Sequence, residues 1–157
     1  MTKVLLSVHV LVAILAVGSI TVAASMFPRY ALQAVGAKEA DGRAAGVAAL
    51  LHRICRGYAV AGLAVPVFGI ATGASLGVLT DAWLIASLLL TLIAAALLAA
   101  AILPGQRRLL TSEPDPAAPD GPRRAAARLT MLTGVFNVLW AIVVILMIVR
   151  PGSTTGA

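Results

Sequence analysis

Charge is scarce in this chain. Of its 157 residues only 11% are charged and 61% are hydrophobic, with a mean hydropathy of +1.00. Soluble domains carry about 25% charged residues. A chain of this length has no interior large enough to hide so much apolar surface from water, so an ordinary soluble domain is excluded; a bilayer supplies the apolar solvent instead. Acidic residues are scarcer still, six against twelve basic ones, for a net charge of +6. A basic excess suits nucleic acid when it gathers on one face. Here it sits in the connecting segments, which excludes nucleic acid as a partner and points to membrane topology. A single cysteine, Cys55, rules out an intrachain disulfide and any CxxC-type metal site, and it reads as a reduced packing thiol. The chain also lacks G-x-S-x-G, P-loop, H-E-x-x-H and dinucleotide fingerprints.

Long apolar runs are what is present. Four stand out, over residues 4–26, 54–73, 82–103 and 129–149. Each is close to the roughly 20 residues that a spanning helix needs. Backbone groups in lipid must be satisfied within the segment, so the runs are helices rather than strands. The predicted fold class is all-α: an integral membrane four-helix bundle with antiparallel neighbours, one domain over 1–151. Residues 27–53 read as a basic, partly helical connection. Residues 104–128, with "EPDPAAPDGPRR", read as a flexible cytoplasmic loop. The tail 152–157 is predicted to be disordered.

The basic residues orient the bundle. Arg29, Lys38, Arg43, Arg53 and Arg56 lie in or beside the first connection, and Arg107, Arg108, Arg123, Arg124 and Arg128 in the third. Only Lys3 and Arg150 lie at the other end. The positive-inside rule then places the long connections in the cytoplasm and both termini outside it, in a bacterial inner membrane. Residues 4–20 followed by "AAS" also fit a signal peptide, but that reading would translocate the basic first connection, against the charge bias.

Within the membrane the ionisable group of interest is His9, about 8 Å below the outer end of the first helix at 1.5 Å per residue. Its face continues through Ala13, Ala16, Ser19 and Ala23, a small-residue stripe of the kind that lets helices approach closely. Ionisable residues in a membrane interior are functional candidates, but a neutral histidine bonded across helices needs no chemistry, so structural packing, cofactor ligation and proton relay all stand as readings of His9. The fourth helix carries Thr130, Thr133, Asn137 and Trp140, with Asn137 about 18 Å below its outer end, and the two stripes are suited to pack together. Gly69, Gly73 and Gly77 repeat at G-x-x-x-G spacing in the second segment, where Pro66 predicts a kink. Thr80 or Asp81 caps the third helix, and Trp83 reads as an interfacial anchor; Asp81 lies near the depth of His9. His52, Arg53 and Arg56 read as headgroup contacts at the opposite interface. His52 is therefore about 20 Å or more from His9 across a 30 Å core, too far to share one metal.

The stretches "SVHVLVAILAVG", "LHRICRGYAVAGLAVPVFG", "DAWLIASLLLTL" and "VILMIVRP" together resemble uncharacterised bacterial four-helix membrane proteins of a domain of unknown function. More distantly they resemble CopD-type copper-resistance proteins and HemJ-type protoporphyrinogen oxidases. The resemblance spans nearly the whole chain. It matches His9 to the family's haem-linked histidine and so implies haem as the cofactor to consider, although the residues alone predict none. The oxidase pattern places a lysine just after the tryptophan of the third helix and a histidine later in it; "WLIASLLL" has neither. Met26, Met131 and Met147 do not gather at the depth of His9, so a copper path is not supported. The leading expectation is a helix-packing subunit or scaffold, associating through its small-residue faces with a second copy or a membrane-protein partner in the bilayer. The alternative is a haem- or metal-binding redox protein using His9, and the third reading is a HemJ-like oxidase.

Overall fold

The structure is a computed structural model that describes residues 2–36, 42–111 and 120–152. It contains six α-helices, α1 (Thr2–Gly36), α2 (Gly42–Ala61), α3 (Ala64–Leu76), α4 (Ala82–Leu97), α5 (Leu103–Thr111) and α6 (Gly121–Val149), with a π-turn, Leu98–Ile102, between α4 and α5. No strand occurs among the described residues. Taken as spans, the helices group into four, Thr2–Val35, Gly42–Leu76, Ala82–Thr111 and Gly121–Val149, each long and apolar enough to cross a membrane. The chain is thus a multi-pass, all-α membrane bundle. Its outer faces carry large apolar side chains, such as Ile148, Val60 and Val4, which only an apolar solvent accommodates.

The spans run longer than the apolar stretches, because helix formation does not stop where hydrophobicity does. At 1.5 Å per residue a 29-residue helix is about 44 Å long against a core of about 30 Å. The expected loop over 104–128 is helical at both ends: α5 runs to Thr111 and α6 starts at Gly121. Lys38, within the predicted first connection, and the predicted tail beyond residue 152 lie outside the described residues.

Prolines shape three places. Pro28 lies inside α1 without ending it. Pro66 falls in the first turn of α3, where its missing N–H costs no intrahelical bond. The expected kink is accordingly a short break just before it, where the Leu63 amide bonds Val60 O and the Val65 amide bonds Gly62 O, each three residues back. Pro104 follows the π-turn, in which the Leu103 amide reaches Leu98 O five residues back; the wider turn makes room for a ring that would collide with the carbonyl four residues earlier. At the far end of α3, Gly77 adopts φ 71° and the Val78 amide bonds Gly73 O, the left-handed glycine stop of a helix.

Packing is uneven along the bundle. The half near the long connections holds the core, built on Ile20, Ala23, Ala24 and Phe27 of α1, Leu51 and Cys55 of α2, Ile102 of the π-turn, and Leu129 and Phe136 of α6. In the other half α1 packs on both α3 and α6, and α6 on α4, but α3 and α4 barely touch. A cavity of about 1010 Å³ opens there, walled by α1, α3, α4 and α6.

Candidate functional site

His9 lines this cavity and is only 6% exposed. Its Nδ1 lies 2.9 Å from the carbonyl oxygen of Val65 on α3. A carbonyl only accepts, so Nδ1 carries the proton and donates. That fixes the neutral ring as the Nδ1–H tautomer and leaves the Nε2 lone pair unused. Nε2 has no partner among the described residues, yet it is not sealed off as a buried orphan. The approach of α1 to α3 depends on Gly69: a Cβ at that position would sit 3.0 Å from His9 Cε1 and 3.4 Å from Nδ1. Proximity of this kind is what a small residue provides at a helix–helix contact.

The other small residues also serve contacts inside the bundle. Ala16 and Ala23 are each 2% exposed, and Ala13 and Ser19 are half-buried. A Cβ at Gly73 would meet Leu84 Cδ2 of α4 at 2.8 Å. Helices α1 and α6 do meet at Asn137, but through a residue off the His9 stripe: Thr21 Oγ1 donates to Asn137 Oδ1 at 3.0 Å. Thr130 faces outward, and the buried Thr133 Oγ1 and Trp140 Nε1 find no hydrogen-bond partner among the described residues.

Trp83 differs from its expected role as an anchor in the lipid interface. It is 7% exposed, its Nε1–H donates to Asp81 Oδ2 at 3.0 Å, and the Arg150 guanidinium lies 5.5 Å from its ring centroid. The indole turns inward because both a carboxylate and a cation hold it there. Asp81 stands at the N-terminus of α4, but its side chain makes no capping bond; it serves Trp83 and not His9. Arg150 itself ends α6 in a left-handed conformation with φ 46°, and it lines the mouth of the same cavity.

The opposite half holds a second polar group. His52 Nδ1 lies 3.0 Å from Gln106 Oε1, and Gln106 Nε2 donates to Cys55 Sγ at 3.6 Å. His52 thus faces a neighbouring helix, whereas Arg53 and Arg56 are exposed. The carbonyl that holds His9 lies thirteen residues beyond His52 along one span, about 20 Å of helix, so the two histidines serve separate places.

Sequence reasoning missed Thr21, Gln106 and Arg150. The first two carried a signal, being polar side chains in or beside helical runs; Gln106 was hidden by the loop reading of its proline-rich surroundings.

The donor set narrows what His9 can hold. Among the described residues no group of three His, Cys, Asp or Glu side chains gathers to bind a metal, so a bare ion at His9 would find one protein ligand. A haem brings four nitrogens of its own and requires an axial side chain. The cleft is mainly apolar, with Thr72, Thr91 and Trp140 among its polar members, one imidazole from His9 and one guanidinium from Arg150, and so holds the single side-chain donor such a macrocycle would need. The Nδ1–H bond to a backbone carbonyl is the arrangement that fixes the ring of a ligating histidine. No family model, curated protein or solved structure matches this chain.

Proposed function

We propose that the protein is a haem-binding protein of the bacterial inner membrane, with both termini outside the cytoplasm and His9 as the side chain that would hold the iron. The observation that carries the reading is the His9 ring, pinned through Nδ1 to Val65 O, with Nε2 unpartnered among the described residues, in the wall of a cavity of about 1010 Å³. Haem bound there supplies a one-electron redox centre. The chain itself orients the imidazole, excludes water with apolar walls and offers the Arg150 cation to an acidic substituent of the ligand. A packing subunit or scaffold is less well supported, because Ala16, Ala23, Gly69 and Gly73 are already taken up by contacts within the bundle. The clustering of ten of the twelve basic residues at one end supports the orientation.

The test is haem titration of the protein in lipid nanodiscs, read by the Soret band and by magnetic resonance of the iron. Wild type is expected to bind with an imidazole ligation signature, His9→Ala to lose it, and added imidazole to restore it. A wild type that gives no band when haem is supplied, or a band unchanged in His9→Ala, overturns the reading.

A further inference from the structure

A second groove, of about 530 Å³, lies between α1 and α6 at the end of the bundle with the long connections. Arg29 of α1 and Arg123 of α6 both line it, together with Ser25, Pro28 and Leu32. Both arginines are exposed, and neither has a carboxylate partner or any hydrogen bond among the described residues. Two unpaired guanidinium groups on one small groove repel each other unless an anion lies between them. Their level is set by sequence. Arg29 is the first charge after the apolar run of α1, and Arg123 lies six residues before that of α6, about 9 Å at helical rise, so both stand on the headgroup side of the hydrocarbon. On the membrane side of the two arginines the groove is walled by Pro28, Ala126 and Ala127, with Ser25 and Thr130 beside them, while Leu32 lies one turn farther toward the connection. Guanidinium is the cation best matched to phosphate oxygens, and Ser25 adds a hydroxyl with no hydrogen bond among the described residues.

We infer that this groove is a specific site for one anionic phospholipid, its phosphodiester held between Arg29 and Arg123 and an acyl chain along Pro28 and Ala126. The apolar wall distinguishes it from a site for free phosphate, which has no use for a hydrocarbon-lined floor. The site stands apart from the His9 cavity and does not depend on haem.

The test is lipid retention measured by native mass spectrometry, on protein from nanodiscs of phosphatidylcholine doped with phosphatidylglycerol. Each basic residue at a membrane surface contributes about fivefold in anionic-lipid affinity, so Arg29→Gln with Arg123→Gln is expected to weaken retention about 30-fold. Arg43→Gln with Arg107→Gln, both exposed and outside the groove, is expected to retain the lipid as wild type does. Should the double variant not fold, Arg29→Gln alone is expected to show the fivefold loss. Equal loss in the control pair would reveal only a diffuse basic surface, and competition by inorganic phosphate only a free-anion site; either result overturns the inference.

Discussion

Gly69→Ala tests the His9 contact most directly. The added methyl would stand 3.0 Å from His9 Cε1, 3.4 Å from Nδ1 and 3.8 Å from Nε2, whereas carbon atoms rest at about 3.5–4.0 Å. The ring must retreat from α3 by about 0.5 Å, and α3 also carries the Val65 carbonyl, so the same retreat stretches the 2.9 Å hydrogen bond beyond the usual limit of about 3.2 Å. Overpacking of this size costs about 1–2 kcal/mol, and the lost bond adds about 0.6 kcal/mol, the typical value between membrane helices. Replacing a helical glycine returns about 1 kcal/mol. The expected net loss is about 1 kcal/mol, measured by unfolding in mixed micelles, with the histidine ring-nitrogen resonances leaving the pattern of a fixed Nδ1–H tautomer. With His9→Ala in place the obstacle is gone, and Gly69→Ala is expected to stabilise by about 0.5–1 kcal/mol. Additive effects of the two substitutions would refute the argument, because contact residues must couple.

Three further outcomes follow from the geometry. At Arg150, whose φ is 46°, glycine removes a left-handed penalty of about 1–2 kcal/mol while losing the contact with Trp83, and alanine loses the contact and keeps the penalty. Arg150→Gly is therefore expected to be more stable than Arg150→Ala by about 1 kcal/mol in the same unfolding assay; equal stabilities would contradict the local strain. Gln106 is 1% exposed and bonds both His52 and Cys55, so Gln106→Ala is expected to cost about 2 kcal/mol and to speed alkylation of Cys55, whereas Gln106→Met, which keeps the volume, is expected to cost less than half as much. In a Cys55→Ser background, Glu113→Cys is expected to resist an impermeant maleimide in spheroplasts and to react after lysis; labelling of intact spheroplasts would reverse the orientation.

The membrane spans were legible because hydropathy over about 20 residues averages away local exceptions. The stripe below His9 was legible for a similar reason: Ala16 and Ala23 recur at helical spacing, and a helix has only one face to bury. Helix ends were not legible. The connection over 104–128 reads as a loop by composition, yet α5 continues through Pro104 because a π-turn relieves the clash, and π-turns have no composition of their own; α6 likewise begins at Gly121. Trp83 misled for another reason. A tryptophan at a span end suits the interface when alone, but Asp81 two residues before it and Arg150, far along the chain, both bind it inward. Only tertiary structure brings that cation there. The tautomer of His9 is likewise beyond sequence, since it depends on which carbonyl α3 presents.

The gap between α3 and α4 lies alongside lipid-facing side chains such as Ile85 and Ile70, both of which line the cavity and are exposed. On the proposed reading a ligand has a way to His9 from the side, through the acyl chains, besides the end that Arg150 lines. For a molecule that takes the lateral route, occupancy tracks its mole fraction among the lipids. Two compounds with equal affinity for the pocket will then differ in apparent potency by the ratio of their partition coefficients, and diluting the protein with extra lipid will weaken both.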